Sequence, residues 1–134
     1  MPRLSRGGKW VYGWATVCPD QTICVPQEAW DEYGFTPGTE ALLLRGSATS
    51  GGLILGRADR VPPALMGRVI ARTVFGCGNT VPVPGPAGHG LPTRLLAVRG
   101  SGHALGLLAK GPVYARAVQD PGLGDRLDTL ATPR

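Results

Sequence analysis

Short apolar runs alternate with turns along most of this chain, and their length and spacing predict strands rather than helices. Each run is bounded by turn-forming residues, as β-strands usually are. The predicted strands are 11–17, 22–25, 41–44, 52–55, 69–75, 80–83, 95–98 and 106–109. One short helix is predicted over 27–33, because Pro26 suits a first helical position and Gly34 suits a helix end. Residues 85–90 are so rich in glycine and proline that a loop is predicted there.

The order of these runs repeats within the chain. Residues 39–57 read TEALLLRGSATSGGLILGR and residues 93–111 read TRLLAVRGSGHALGLLAKG, aligned at a constant separation of 54. Upstream, TICVP at 22–26 matches TVPVP at 80–84. The further matched residues include Thr16-Val17 with Thr73-Val74, Gly52 with Gly106, and Leu53 with Leu107. Self-similarity in a fixed order predicts an internal duplication.

The duplication divides the chain into four segments. A first repeat covers 9–57, a linker 58–67, a second repeat 68–117 and a tail 118–134. A unit of four short strands buries too little apolar surface to fold alone, so the two repeats are expected to share one barrel. The tail is rich in proline, glycine and aspartate and is expected to be loose.

The first repeat resembles the AbrB/SpoVT/MazE family of swapped-hairpin domains. The resemblance is carried by the strand WATV at 14–17, the strand-to-helix corner TICVPQEAW at 22–30 and the turn YGFTPGTE at 33–40. A tandem pair of such units is similar to MraZ. The resemblance implies an all-β fold, a swapped-hairpin (double-psi-like) barrel formed by two internal repeats with one or two short helices. It also implies a DNA-binding transcription regulator, whose basic side chains contact phosphates and base edges.

Charge is distributed unevenly along the chain. The formal net charge is +5, and no acidic residue lies between Arg60 and Asp120. On its helix the family carries basic residues where this chain has Trp30 and Asp31, so no DNA contact is transferred from the family. The DNA-binding residues are therefore predicted from charge, in the N-terminal segment and the second repeat. They are Arg3, Arg6, Lys9, Arg68 and Arg72.

A second hypothesis keeps the barrel without DNA binding, as a protein-interaction or assembly module with a protein partner or with copies of itself. Trp10 and Trp14 alternate along the first strand and are expected to share a face, to which Trp30 of the helix could add. The three tryptophans form either a partner surface or part of the core. A contiguous face of Arg68, Arg72 and Arg99 would favour DNA, whereas scattered arginines beside exposed tryptophans would favour a protein partner.

The motif Arg-Gly-Ser occurs once in each repeat. One interpretation makes Arg45 with Ser47, and Arg99 with Ser101, two anion-binding clamps. The other makes Gly-Ser the start of a hairpin turn, which would recur for structural reasons alone. The second interpretation is favoured.

Other chemistry is weakly represented. Cys18, Cys24 and Cys77, with His89 and His103, match no metal-ligand spacing, so no metal is expected. The odd number of cysteines favours reduced thiols and a cytoplasmic location. No catalytic set can be assembled, so neither an enzyme, a cofactor nor a small-molecule substrate is expected. No apolar run approaches the roughly 18 residues of a membrane helix, so no membrane partner is expected.

Overall fold

In the computed structural model, the chain is mostly antiparallel β-sheet. The structure describes residues 11–88, 90–101 and 104–119. The strands are β1 (Val11–Val17), β2 (Thr22–Cys24), β3 (Glu40–Arg45), β4 (Leu53–Arg57), β5 (Val69–Val74), β6 (Thr80–Pro82), β7 (Arg94–Ser101) and β8 (Ala104–Leu108). Each overlaps a predicted strand, and the bounds differ by at most three residues, since the apolar runs are short and bounded by turns.

The eight strands form a nearly closed barrel. Their order in the sheet is β5-β3-β4-β8-β7-β1-β2-β6, and every pairing is antiparallel. A bridge between Gly76 and Thr80 joins β5 to β6, the two ends of this order. The predicted all-β barrel is therefore confirmed.

Two halves of the barrel, β1–β4 and β5–β8, make corresponding contacts. Exchanging the halves leaves the cyclic strand order unchanged, because β1 pairs with β7 as β5 pairs with β3. Backbone bonds correspond as well: Val25 N–H donates to the Asn79 carbonyl, and Val83 N–H donates to the Gln21 carbonyl, both at 2.8 Å. An internal duplication would produce this correspondence. That the two halves arose by duplication stays a prediction.

The pairing corrects two of the sequence matches. Thr16 lies opposite Arg94, whereas the residue of β5 in the corresponding place is Val74, opposite Glu40. The matching of Thr16 with Thr73 was therefore wrong by one position. The second match fails because the β7–β8 hairpin is shorter: Gly52 precedes β4, whereas Gly106 lies within β8 and pairs with Ile54.

Helical segments are more numerous than expected. They are α1 (Gln27–Glu32), a 3-10 helix (Pro63–Arg68), α2 (Gly85–Gly88) and α3 (Pro112–Gln119). The predicted loop at 85–90 was wrong, because one helical turn forms after Pro84, whose carbonyl accepts the Gly88 N–H. In α3, which was not predicted, Pro112 begins the helix and Val113, Tyr114 and Ala117 pack on one side.

The core fills the barrel interior, and two smaller clusters lie on its outer surface. The interior holds Ile23, Leu43, Leu55, Phe75, Val81 and Leu105 among other buried residues. Outside, residues from the segment that follows β4 cover Leu42 and Leu44 of β3, and α3 covers Leu96 and Val98 of β7. The predicted tail thus begins inside a helix, and residues 120–134 lie outside the described residues. In the part of the chain that is described, no helix is long and apolar enough to cross a membrane.

Candidate interaction surfaces

The basic residues predicted to contact DNA in the second half lie on β5 and just before it. Arg68 donates a hydrogen bond from Nη2 to the backbone carbonyl of Arg45, at 2.7 Å. Arg72 projects from the outer face of β5 and forms an exposed ion pair with Glu40, with 2.9 Å between Nη1 and Oε2. Arg68 is thus held by a backbone carbonyl, whereas Arg72 is balanced by a carboxylate. The N-terminal candidates Arg3, Arg6 and Lys9 lie outside the described residues.

Arg99 does not join this group. It lies near the end of β7 and forms an ion pair with Glu32 of α1, with 2.6 Å between Nη1 and Oε2. In the sheet, β3, β4 and β8 separate β5 from β7, a distance of roughly 19 Å along the sheet at the usual strand spacing. The prediction that Arg68, Arg72 and Arg99 form one contiguous face is therefore wrong.

The Arg-Gly-Ser segment of the first half is a hairpin turn. The Ser47 carbonyl accepts the Gly51 N–H at 2.8 Å, and the Ser47 hydroxyl accepts the Ser50 N–H at 3.1 Å. The Ser47 and Ser50 hydroxyls also lie 2.7 Å apart. Ser47 thus closes the turn, as the favoured interpretation expected. Ser101 is described only as the last residue of β7.

Both Arg-Gly-Ser segments nevertheless border one groove of about 310 Å³ on the outside of the barrel. Its wall includes the glycines of the two motifs, Gly46 and Gly100, and its charged side chain is Arg68. Neither Arg45 nor Arg99 lines it. Arg99 is paired with Glu32 instead, and the interpretation of the two motifs as anion-binding clamps stays a prediction.

Trp14 and Trp30, the two tryptophans that the structure describes, do not form an exposed patch. Trp30 is only 6% exposed and packs edge-to-face on Phe35 and Phe75, with ring centroids 5.6 and 5.4 Å away. Trp14 is half-buried under Tyr114 of α3, at 5.4 Å between centroids. The core interpretation therefore holds for Trp30, and the partner surface predicted for Trp30 is wrong. For the half-buried Trp14 the partner surface stays a prediction. Trp10 lies outside the described residues.

A β-bulge explains why strict alternation fails along β1. Between Val11 and Gly13 the strand advances two residues while β7 advances one, and Gly13 has φ 138°. Tyr12 consequently turns into the core beside Tyr33, with ring centroids 6.2 Å apart, whereas Trp14 turns outward. Burial is the main reason that the pKa values of both tyrosines are raised.

Where the family carries basic residues, the first half carries carboxylates engaged in local bonds. Asp20, in the β1–β2 turn, accepts the Thr22 N–H at 3.1 Å. Asp31, on α1, accepts a hydrogen bond from the Gln27 amide at 2.8 Å. Both carboxylates thus serve local structure in the turn and the helix.

The sequence predictions missed an exposed apolar surface, which lies along β5 and the end of the 3-10 helix before it. Met66, Ile70 and Val74 are 37%, 43% and 49% exposed, and we refer to them as the β5 surface. Ladders join β5 to β3 along its length, but to β6 only through the bridge beyond its end. Its outer edge therefore offers backbone groups as well as apolar side chains. In the sequence, this surface was indicated by the spacing of Ile70, Arg72 and Val74, because every second residue of a strand lies on the same face.

Two of the three cysteines are neighbours. The Sγ atoms of Cys18 and Cys24 lie 4.0 Å apart, and burial together with Cys18 raises the pKa of Cys24. Cys77 is exposed. Within residues 11–88, 90–101 and 104–119, no group of three or more histidine, cysteine or acidic residues could hold a metal ion. His89 and His103 fall outside those ranges.

Comparison with protein-family models, curated proteins and solved structures gives no match for this chain. The AbrB-like resemblance therefore rests on the corner and turn sequences of the first half. Function has to be sought in the surfaces that the barrel presents.

Proposed function

We propose that this chain is a barrel of the swapped-hairpin type that acts as an assembly module, in which two copies associate through β5. The observation that carries this proposal is the combination of the β5 surface with an open strand edge. An edge strand with exposed apolar side chains is a template for pairing with another chain.

The sequence of β5 suits pairing with itself. In an antiparallel pair centred on Arg72, Ile70 of one copy lies opposite Val74 of the other, and the arrangement is two-fold symmetric. Apolar pairs across strands stabilise such a ladder by roughly 0.2–1 kcal/mol each. The Glu40 carboxylate that accompanies each Arg72 offsets the repulsion between the two central arginines.

Sedimentation velocity over a wide range of protein concentration tests the proposal. The full chain should sediment as a dimer at high concentration and dissociate on dilution, since a small interface gives a weak complex. The double variant Ile70→Lys/Val74→Lys should remain monomeric, because lysine on an edge strand opposes pairing. Val118→Lys is the matched control: it removes an equally exposed apolar side chain from α3 and should leave association unchanged.

Two results would contradict the assembly proposal. The full chain could stay monomeric at every concentration, or the dimer could persist unchanged in Ile70→Lys/Val74→Lys. Circular dichroism of each variant establishes that a loss of association does not reflect unfolding.

DNA binding is the second candidate function, supported by Arg45 and Arg68. Both are exposed, neither has a carboxylate partner among the described ion pairs, and Arg68 reaches the Arg45 carbonyl. Exposed cations that no carboxylate neutralises can contact phosphates. The absence of acidic residues between Arg60 and Asp120 adds to the positive potential.

Fluorescence anisotropy with a mixed-sequence DNA duplex across a salt series tests this second function. Binding through phosphates should weaken steeply as salt rises, and the log–log slope should fall by about one when a substitution removes one cation from a phosphate. Arg68→Gln should reduce affinity and slope, whereas Arg72→Gln, which removes an already paired charge, should change them less. Undetectable binding at low salt would exclude DNA as the partner.

A further inference from the structure

The β1–β2 hairpin brings two thiols together on the outer face of the barrel. Cys24 pairs with Thr16, and the Cys18 N–H donates to the Thr22 carbonyl at 2.9 Å, so that the two cysteines are diagonal neighbours across the hairpin. Their Sγ atoms lie 4.0 Å apart. Both side chains are half-buried, which leaves the pair open to small reagents.

The pair belongs to one half of the barrel only. By strand pairing and turn geometry, Gly76 and Pro82 take the places of Cys18 and Cys24 in the second half. The third cysteine, Cys77, is exposed, and no thiol contact is found for it within the described residues. The barrel fold therefore does not require a cysteine at either position of the pair.

We propose that Cys18 and Cys24 are a reversible modification site, at which a small disulfide such as oxidised glutathione converts the two thiols into a disulfide. This inference is independent of the assembly through β5, which lies in the other half of the barrel.

The reaction is two successive thiol–disulfide exchanges. The Cys18 sulfur, as a thiolate, attacks one sulfur of the oxidised glutathione, forming a mixed disulfide and expelling one glutathione thiolate. Cys24 then loses its proton and attacks the Cys18 sulfur, expelling the second glutathione. The two protein thiols give up two electrons and two protons, and one glutathione disulfide becomes two glutathione thiols.

The geometry requires a small rearrangement. A disulfide needs an S–S distance of about 2.05 Å, so the two sulfur atoms must approach by roughly 2 Å. Both side chains are half-buried and neither belongs to the interior cluster, so the approach involves surface side chains and not the core. The product would join β1 covalently to β2, the strand that pairs with β6.

Mass spectrometry of the full chain after incubation with oxidised glutathione tests the proposal. Free thiols are then alkylated, and trypsin releases Cys18 and Cys24 in the peptide 10–45 and Cys77 in the peptide 73–94. The first peptide should have lost two hydrogen atoms and carry neither glutathione nor alkyl group. The second should carry glutathione, because Cys77 has no neighbouring thiol to displace it.

Single variants provide the matched controls. In Cys18→Ser and in Cys24→Ser the remaining thiol should retain glutathione, whereas Cys77→Ser should still form the internal disulfide. Retention of glutathione on peptide 10–45 of the unchanged chain would overturn the proposal. So would full alkylation of that peptide under conditions in which Cys77 has reacted.

Thermal unfolding gives a second readout that a simple surface modification would not move. In the Cys77→Ser variant, oxidation should raise the unfolding midpoint by several degrees and dithiothreitol should reverse the shift, since a cross-link restricts the unfolded chain. The Cys24→Ser/Cys77→Ser variant should show no such shift. An unchanged midpoint in oxidised Cys77→Ser would contradict a cross-link across the hairpin.

Discussion

The outer faces of β1 and β5 occupy corresponding places in the two halves of the barrel, yet different side chains complete them. On the β1 side, the Arg94 guanidinium lies 4.0 Å from the ring centre of Trp14, and Tyr114 of α3 covers the indole. On the β5 side, the same diagonal holds the exposed ion pair of Arg72 and Glu40. One face is a covered aromatic contact and the other an open charged one.

The interior is more alike than the exterior. Ile23 and Val81 take corresponding places in β2 and β6, and both are fully buried. Interior positions have to fill one shared, closely packed space, which restricts them to apolar residues of fitting size. At outer positions, the suitable residue depends on whether another element, solvent or a partner covers the strand. The difference between the halves therefore lies on the outside of the barrel, where the proposed assembly through β5 would take place.

The largest expected effect on stability concerns one pair of corresponding residues that are not equally buried. Phe75 follows β5, is 1% exposed and stacks on Phe35 at 4.4 Å, whereas the corresponding residue, Val17, is half-buried. Phe75→Ala should lower the free energy of unfolding by about 3–5 kcal/mol through the cavity it leaves. Val17→Ala should cost about 1 kcal/mol. Urea denaturation of the two variants measures the difference.

Equal losses in those two variants would contradict the packing described for the two strand ends. An unchanged slope of free energy against urea in both variants would show that the losses arise in the folded state.

A smaller effect separates two glycines that the sequence had matched. Gly52 has φ 67°, and a methyl group there would overlap the Leu107 carbonyl oxygen, so Gly52→Ala should cost roughly 2–3 kcal/mol. At Gly106 a methyl group would lie 3.0 Å from Cγ2 of the buried Val98, which would have to shift by a few tenths of an ångström, so the cost should be smaller, about 1 kcal/mol. Thermal and urea unfolding of both variants check the order.

If Gly106→Ala were the more destabilising of the two, the shorter β7–β8 hairpin would be in doubt. In that case the separation of 54 residues, which aligned Gly52 with Gly106 in the sequence, would also describe how β4 corresponds to β8.

The strands could be predicted because each apolar run is short and ends in a strong turn. Surface roles could not be predicted in the same way, because they depend on contacts between residues distant in sequence. Glu40 lies 32 residues before Arg72, and only the β3–β5 register joins them. The bulge at β1 likewise puts Tyr12 in the core and Trp14 on the outside, although strict alternation would place both on one face. Charge alone thus identified arginines without showing which were already paired.

The smallest expected effect compares the two diagonals directly. Glu40→Gln breaks an ion pair whose side chains are both at least half exposed, so it should cost only about 0.2–0.5 kcal/mol at low salt and nothing at high salt. Arg94→Gln removes a guanidinium from a half-buried indole and should cost about 0.5–1 kcal/mol with little salt dependence. Urea unfolding at low and high salt measures both. If the cost of Arg94→Gln vanished at high salt as well, the indole contact would be no better shielded than the open ion pair, and the two faces would not differ as the barrel indicates.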